Sequence, residues 1–218
     1  MLIKMFRTPE FWYKKNIISK LQIILLYPFS ILWTLVDEFK RYFSKTYKSK
    51  LKVVCIGNLT VGGTGKTPFS IYTFKILKSL GYNPVFLTRG YGGLKKGPIE
   101  VNNSHHFQDV GDESILLSKV GTTIVSRNRS LGAKFIEKHR NKFNIIIMDD
   151  GLQNYQLKQD IKFLLVDKKL KLGNGYCLPA GPLRQTIKRG LNDIDKIILT
   201  GESDKNEKDL FKSFNIPV

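Results

Sequence analysis

A glycine-rich stretch followed by lysine and threonine contains the residues best suited to chemistry. Its sequence is Gly57-Asn58-Leu59-Thr60-Val61-Gly62-Gly63-Thr64-Gly65-Lys66-Thr67. An apolar, β-branched run precedes the stretch and an amphipathic segment follows it, which is the order strand, phosphate loop, helix. Glycines let the backbone bend around a phosphate and point N–H groups at it, and a helix N-terminus favours negative charge. The stretch therefore predicts a nucleotide phosphate site.

The roles within this site follow from residue type. Lys66 would reach the β- and γ-phosphates, and Thr67 would hold Mg²⁺. The strict pattern G-x-x-x-x-G-K-[ST] is not met, because Thr60 stands where the first glycine should be. A flexible glycine-rich linker is the alternative, but such linkers are not framed by a strand and an apolar-periodic helix. The predicted nucleotide-binding residues are Thr60, Val61, Gly62, Gly63, Thr64, Gly65, Lys66 and Thr67.

A pair of carboxylates follows a second buried-type strand. The run 144–148 ends in Asp149-Asp150-Gly151, which is how a Walker B site places an acid beside Mg²⁺. An Asp-Asp-Gly turn is the alternative. Together with the phosphate loop, the pattern favours the metal role, so Thr67, Asp149 and Asp150 are the predicted Mg²⁺ ligands.

Other charged residues have two interpretations each. Asp112 opens a helix, where an acid is common as a cap, but a phosphotransferase also needs a carboxylate to orient or deprotonate an acceptor hydroxyl. Arg127 and Arg129 follow the predicted strand 122–126, and Arg184 follows a Pro/Gly-rich segment. Arginines at strand ends are either solvated surface or a clamp on phosphoryl oxygens.

Short β-branched runs alternate with helical patterns from residue 51 onward. This alternation predicts an α/β fold, a P-loop NTPase-like and mostly parallel sheet flanked by helices, with ligands at the carboxyl ends of the strands. Strands are predicted at 51–56, 84–88, 122–126, 143–148, 161–166 and 196–200, and helices at 66–80, 112–119 and 130–142.

The first 50 residues differ in character from the rest of the chain. Residues 21–36 are apolar and aromatic, but these 16 residues contain Pro28 and fall short of the roughly 20 that span a bilayer. Basic residues flank them, and the net charge is +18. We predict a hydrophobic helical segment that lies in the interface of an anionic membrane. A hydrophobic hairpin packed on the domain is the alternative.

The positive charge would also suit nucleic acid, but no stacking motif is interleaved with a basic groove pattern. No nucleic-acid partner is therefore predicted. The chain is divided into a membrane-associating region, 1–50, and a nucleotide-binding domain, 51–218.

Five motifs occur in order along the chain. They are residues 58–68, Thr88-Arg89-Gly90-Tyr91, Gly111-Asp112-Glu113, Asp149-Asp150-Gly151-Leu152-Gln153 and Pro179-Ala180-Gly181-Pro182-Leu183-Arg184. Together they resemble the lipid A 4′-kinases, the tetraacyldisaccharide 4′-kinases of Gram-negative bacteria, from the N-terminal membrane segment to about Thr200. The resemblance also accounts for Thr60, since the loop of that family commonly lacks the first glycine.

The resemblance implies a P-loop kinase domain that uses ATP and Mg²⁺. It implies transfer of the ATP γ-phosphate to the 4′-hydroxyl of a tetraacylated glucosamine disaccharide 1-phosphate, an anionic glycolipid. The reaction would take place at the cytoplasmic face of the inner membrane, with the N-terminal region docked on the bilayer. It also implies that Lys66 and Thr67 bind phosphates and Mg²⁺, that Asp149 and Asp150 form the Walker B pair, and that Asp112 activates the hydroxyl. In the same family, Arg129 matches a motif arginine after the third predicted strand, and Arg184 matches one near the nucleotide and acceptor.

Two departures from the family pattern bear on activity. The family segment Asp-Asp-Gly-Phe-Gln-His ends here in Asn154, and the chain stops at Val218 before an Asp-His-His or Asp-His-Tyr segment whose histidine supports the catalytic aspartate. A catalytically impaired membrane-bound nucleotide-binding protein, or half of a split kinase, is therefore an alternative. A partner-activated ATPase or GTPase is a third interpretation, but its signature lysine would occupy position 61, where the chain has Val61.

Overall fold

The strands form one layer, and the strand that precedes the phosphate loop lies in its interior, with a neighbour on each side. The computed structural model describes residues 8–139, 141–202 and 216–218. Within these ranges the sheet has seven strands in the order β3-β4-β2-β5-β1-β6-β7. All neighbouring pairs are parallel except the edge pair β3–β4. The strands are β1 (Lys52–Gly57), β2 (Pro84–Thr88), β3 (Ile99–Glu100), β4 (Thr123–Val125), β5 (Ile145–Asp149), β6 (Ile161–Asp167) and β7 (Lys196–Thr200).

Helices cover both faces of the sheet and confirm the predicted α/β class. The helices are α1 (Ile17–Phe43), α2 (Lys66–Ser79), α3 (Phe107–Val110), α4 (Asp112–Ser118), α5 (Arg129–Glu137) and α6 (Ile187–Leu191), preceded by a 3₁₀ helix, Glu10–Trp12. The helix predicted at 130–142 ends early, at Glu137, and the predicted positions that follow, 138–142, contain no apolar residue that could extend its buried face. The short helices α3 and α6 were not predicted, since each is too short to show a period.

The two faces of the sheet bury separate sets of apolar side chains. On one face β1 and β5 contribute Val53, Cys55, Ile146 and Met148, which pack with residues of α5. Their sequence neighbours point to the other face, where Phe74 of α2 stacks on Phe86 of β2 with ring centroids 4.7 Å apart. Because β1 is buried on both sides and paired on both edges, the start of the phosphate loop is fixed in space.

The N-terminal helix α1 is longer than the apolar run from which it was predicted. It is one continuous helix of 27 residues that includes Pro28, and the Asn16 side chain caps it by accepting from the Ser19 N–H. By length and composition it could cross a membrane. The prediction that the segment is too short to span is therefore wrong, because the helix extends past the apolar run at both ends.

Among the described residues, α1 packs against the rest of the protein along one edge. Ser19 and Ser30 are buried on that edge. Most of the apolar side chains of the helix are exposed, so the alternative of a hairpin packed on the domain is also wrong. The exposed side chains include Ile17, Leu21, Ile24, Leu25, Phe29, Leu32, Leu35, Phe39 and Phe43.

Gly132→Ala tests the packing of α5 on the sheet. Helix propensity alone favours alanine by about 1 kcal/mol. A Cβ at Gly132, however, would lie 2.6 Å from Leu87 Cδ1 and 2.8 Å from Ser126 Cβ. We expect overpacking to dominate and to lower the free energy of unfolding by about 1–3 kcal/mol, measured by urea denaturation. Gly63→Ala, where nothing lies within 4 Å, is the control. A stabilised Gly132→Ala variant would contradict this account.

Candidate active site at the carboxyl edge of the sheet

The phosphate loop joins β1 to α2 at the carboxyl edge of the sheet. Gly65 ends the loop with φ 77°, a conformation that glycine adopts without strain. The first turn of α2 then leaves N–H groups without intrahelical acceptors. The hydroxyl of Thr64 is buried, and no partner for it lies within the described residues. A buried donor of this kind fits a phosphate oxygen as its acceptor.

Lys66 lies inside the site and is only 8% exposed. Its ammonium donates to Asn58 Oδ1 at 3.1 Å and lies 3.8 Å from Asp150 Oδ1. Asn58 directly follows β1, so the strand that precedes the loop also fixes the lysine. The predicted proximity of Lys66 to the Asp149-Asp150 pair is thus present, whereas the part played by Asn58 was not predicted.

Asp149 lies beside the loop because the register pairs it with Ile56 on β1. Its Oδ1 accepts from the Ser70 hydroxyl at 2.8 Å, and its Oδ2 accepts from the Thr67 hydroxyl at 3.4 Å. Burial raises the pKa of the Asp149 carboxyl, and the hydrogen bond from Ser70 opposes the shift. Ser70, one turn after Lys66, is a supporting residue that the sequence motif did not include.

The oxygens of Thr67 and Asp149 have the chemistry that Mg²⁺ prefers. The described residues contain no group of three or more histidine, cysteine and acidic side chains that could hold a metal. Mg²⁺ in nucleotide sites is usually bound by one or two carboxylates together with substrate phosphates and water. The oxygen donors present therefore fit this ion.

Asp150 pairs with Arg184, a residue 34 positions further along the chain. Arg184 Nη1 donates to both carboxylate oxygens, at 2.9 and 3.0 Å. Asp150 itself has φ 52°, a left-handed conformation that costs a non-glycine residue of the order of 1 kcal/mol. The bonds from Arg184 and the nearby Lys66 hold the carboxylate at this position. Gln153, missed by the sequence reasoning, ties the same turn to the loop through a 2.9 Å bond from Nε2 to Asn58 O.

Residues 177–185, here called the bridging segment, run alongside the phosphate loop. The Val61 N–H donates to Pro182 O at 2.9 Å, and the Arg184 N–H donates to Leu59 O at 2.7 Å. Thr60 and Leu183 form an antiparallel bridge between these bonds. The N–H of Val61 therefore supports the loop from outside.

Arg129 is a buried cation near the two aspartates. It is 2% exposed and donates through Nη1 to Ser126 O. Its Nε has no hydrogen-bond partner within the part of the chain described. Burial, and secondarily the charge of Arg89, lowers the pKa of Arg129 to about 10, while Asp149 and Asp150 act in the opposite direction. An unpaired buried N–H suits an incoming anion.

Arg127, by contrast, is exposed and donates to Gly93 O at 2.9 Å. It thus contacts the loop that follows β2. The structure gives the two neighbouring arginines different environments, a distinction that the sequence did not make.

Asp112 is the first residue of α4 and is exposed, with Gly111 as the N-cap. Its Oδ1 accepts from the Glu113 N–H at 2.9 Å, so it satisfies a first-turn N–H from the first helical position and not from the N-cap itself. Glu113 is more buried, and burial together with the charges of Asp149 and Asp150 raises its pKa. Glu113 is therefore a third acid near the aspartate pair that the sequence reasoning did not select.

A cavity of about 390 Å³ lies apart from this cluster, beside α6 and the end of α1. None of the predicted site residues lines it.

The chain is similar to known proteins over most of its length. The model of the family described as tetraacyldisaccharide-1-P 4′-kinase (LpxK) matches residues 22–216. The tetraacyldisaccharide 4′-kinase of Paramagnetospirillum magneticum is 37% identical over 97% of this chain and 64% of its own length. That of Psychromonas ingrahamii is 40% identical over 84% of this chain and 59% of its own length. The chain thus spans about three fifths of the length of these curated relatives.

A solved structure shares the fold. The crystal structure of LpxK from Aquifex aeolicus in complex with ATP superposes with a TM-score of 0.70 at 32% identity. The match covers 82% of this chain and 58% of that one. The matched family is the one that the five motifs resemble, so that prediction is confirmed.

Asp149→Asn tests how the buried charge of Asp149 affects the stability of the protein in the absence of a ligand. The substitution keeps an acceptor for Ser70 but removes a buried charge whose desolvation is unfavourable. We expect the free energy of unfolding at pH 7 to stay within about 1 kcal/mol of wild type or to rise. Asp160→Asn is the control, because Asp160 accepts from the Val53 N–H at 2.9 Å and lies near Lys52 outside the site. Urea denaturation that shows a loss of several kcal/mol for Asp149→Asn would contradict the expectation.

Proposed function

Because the chain belongs to the tetraacyldisaccharide-1-phosphate 4′-kinase family, we propose that it transfers the γ-phosphoryl group of ATP to the 4′-hydroxyl of a tetraacyldisaccharide 1-phosphate in lipid A biosynthesis. One observation in the chain itself supports this most strongly. Lys66 and Arg184 converge on Asp150, next to Asp149 and the phosphate loop. Such a group of cations and acids at a helix N-terminus is what phosphoryl transfer requires.

The cations would act on the phosphates of ATP. In the structure Lys66 and Arg184 face Asp150. The bound β- and γ-phosphates of ATP would share these two cations with the Asp150 carboxylate. The run from Gly62 to Thr67 would bind the phosphates through backbone N–H groups, with the Thr64 hydroxyl as an additional donor. Arg129, buried and with an unpaired Nε, would face the transferring group. We assign these residues to nucleotide binding and to neutralisation of charge in the transition state.

Thr67 and Asp149, with Asp150, would hold Mg²⁺. When bound, this ion neutralises charge on the β- and γ-phosphate oxygens. The buried hydrogen bonds of Asp149 to Ser70 and Thr67 orient its carboxylate in advance. The protein thereby fixes the acid before the nucleotide arrives, which reduces the cost of ordering it during binding.

Asp112 would accept the proton of the 4′-hydroxyl. The hydroxyl O–H bond breaks, the oxygen forms a bond to the γ-phosphorus, and ADP leaves with its β–γ bridging oxygen. Asp112 is exposed at the first residue of α4, and so an acceptor can reach it. Glu113, its neighbour, adds negative charge near the metal-binding aspartates.

The region 1–50 would bring the domain 51–218 to its lipid substrate. The outward face of α1 is apolar and exposed, and Lys40 and Arg41 lie in its last turn. Exposed apolar surface next to cations suits a membrane of anionic lipid. We propose that α1 associates with the cytoplasmic face of the inner membrane and that the anionic glycolipid acceptor enters beside it.

A second candidate is nucleotide binding without transfer, or transfer only with a second chain that completes the site. The observation that favours it is that Asp112 bonds within its own helix, to the Glu113 N–H. A general base usually has a partner that orients it or tunes its pKa. The transfer assay below separates the two candidates.

The first test is transfer of labelled γ-phosphate from Mg-ATP to tetraacyldisaccharide 1-phosphate in mixed micelles. We expect the chain to form product and Lys66→Ala to reduce the rate by at least about a hundredfold, as typical for loss of a transition-state cation. Asp112→Asn should abolish transfer while ATP affinity changes less than about twofold. ATP binding with no product in the wild-type chain would favour the second candidate.

Membrane association is tested by co-sedimentation with vesicles of phosphatidylglycerol and phosphatidylethanolamine. Leu25 and Leu32 are 73% and 58% exposed on α1. Their double substitution by serine should lower vesicle binding on the order of tenfold or more, because each leucine adds about 1.5–3 kcal/mol when fully buried. The matched control replaces Leu80 and Leu94, which are 66% and 79% exposed outside α1. Equal losses in the two double variants would contradict docking through α1.

A further inference from the structure

The inner edge of α1 contacts the bridging segment directly. Trp33 Nε1 donates to the carbonyl oxygen of Arg184 at 2.8 Å. At the other end of the segment, the Ser30 hydroxyl donates to Cys177 O at 2.8 Å and accepts from the Ala180 N–H at 3.0 Å. The helix with the exposed apolar face is therefore bonded to both ends of the segment that supplies a site residue.

Arg184 is held at three points, each on a different part of the protein. Its N–H donates to Leu59 O on the phosphate loop at 2.7 Å. Its guanidinium bonds to Asp150 at 2.9 and 3.0 Å. Its carbonyl accepts from Trp33. Fixing both backbone groups of the residue restricts where the guanidinium can reach, because the side chain starts from a single backbone orientation.

We propose that Trp33 is a positioning residue for Arg184, and that the lipid-facing helix thereby sets the affinity of the site for Mg-ATP. The proposal deepens the proposed function and rests on it. Trp33 does not touch the phosphates. It acts through the Arg184 carbonyl, and without its hydrogen bond the guanidinium divides its time between the phosphate site and other orientations.

The exposure of Trp33 makes the strength of its hydrogen bond depend on whether water or lipid surrounds it. The side chain is 43% exposed, so water competes for the bond between its indole and Arg184. Lipid over the outward face of α1 would exclude that water, and a hydrogen bond gains strength when its surroundings are less polar. Arg184 is then held more firmly on the membrane than in solution, and ATP affinity rises where the acceptor lipid is found.

The chain contains its own matched control for a merely structural role. Trp12 Nε1 also donates to a carbonyl of the bridging segment, that of Pro179, at 3.1 Å. Replacing either tryptophan by phenylalanine removes one indole hydrogen bond onto the same segment and keeps an aromatic ring. Only the bond from Trp33 ends on Arg184.

The experiment measures Mg-ATP affinity of the full chain by displacement of a fluorescent nucleotide analogue, together with thermal unfolding of each variant. Trp33→Phe should weaken binding about threefold to tenfold, the effect of one lost hydrogen bond. Trp12→Phe should change binding less than about twofold, even where its loss of thermal stability is equal or larger. In an Arg184→Gln background, Trp33→Phe should have no further effect, because residues that act through one another are not additive.

The same titration with vesicles of phosphatidylglycerol and phosphatidylethanolamine tests the membrane step. Vesicles should raise the ATP affinity of the wild-type chain by about threefold or more and leave that of Trp33→Phe unchanged. An equal gain in both proteins would overturn the membrane step of the proposal.

Other results would overturn the proposal itself. Equal weakening by Trp33→Phe and Trp12→Phe would show a structural role only. A full effect of Trp33→Phe in the Arg184→Gln background would show that Trp33 does not act through Arg184. If Arg184→Gln weakens ATP binding but Trp33→Phe does not, the inference about Trp33 fails while the proposed role of Arg184 in nucleotide binding stands. If Arg184→Gln has no effect on ATP binding, both this inference and the proposed role of Arg184 in nucleotide binding fail.

Discussion

The carboxylate of Asp150 is the point at which the separate parts of the candidate site are joined. It receives Arg184 through two short hydrogen bonds and lies near the ammonium of Lys66. Lys66 belongs to the helix after β1, Asp150 to the turn after β5, and Arg184 to the bridging segment. The carboxylate side chain is 31% exposed, so the strength of the arrangement lies in the geometry of the bonds and in the burial of Lys66 more than in bare charge attraction.

The sheet makes this meeting possible through register and burial. β1 and β5 are neighbours and parallel, and their pairing sets Asp149 opposite Ile56, one residue before β1 ends. Both faces of these strands are packed with apolar side chains, so neither strand can shift without exposing them. The acids at the end of β5 and the loop that follows β1 are held side by side by the same core that stabilises the fold.

The bridging segment connects the site to the outer helix α1. It pairs with the phosphate loop on one side and with α1 on the other. The site is thus bounded on one side by a rigid sheet and on the other by a helix with a largely exposed apolar face. For the proposed transfer to a lipid acceptor, the surface that would meet the membrane lies two hydrogen bonds away from the phosphate loop.

The sequence by itself determined the longer elements of the domain and the residue types of the site, since these depend on local spacing. The strand–loop–helix order around Lys66 and the acids at the end of the strand 145–149 follow from periodicity and turn residues that lie close together in the chain. So does the mostly parallel sheet. The order of five motifs also identified the family, which the comparisons confirmed.

Only the tertiary structure decided how these residues are paired and what surrounds them. It showed that Arg184 bonds Asp150, that Arg129 is buried while Arg127 is not, and that the Val61 N–H is used by the bridging segment. It also showed that Glu113 lies near the aspartates and that α1 is long enough to cross a membrane. These features depend on contacts between residues far apart in the chain, or on burial, and neither leaves a periodic pattern in the sequence.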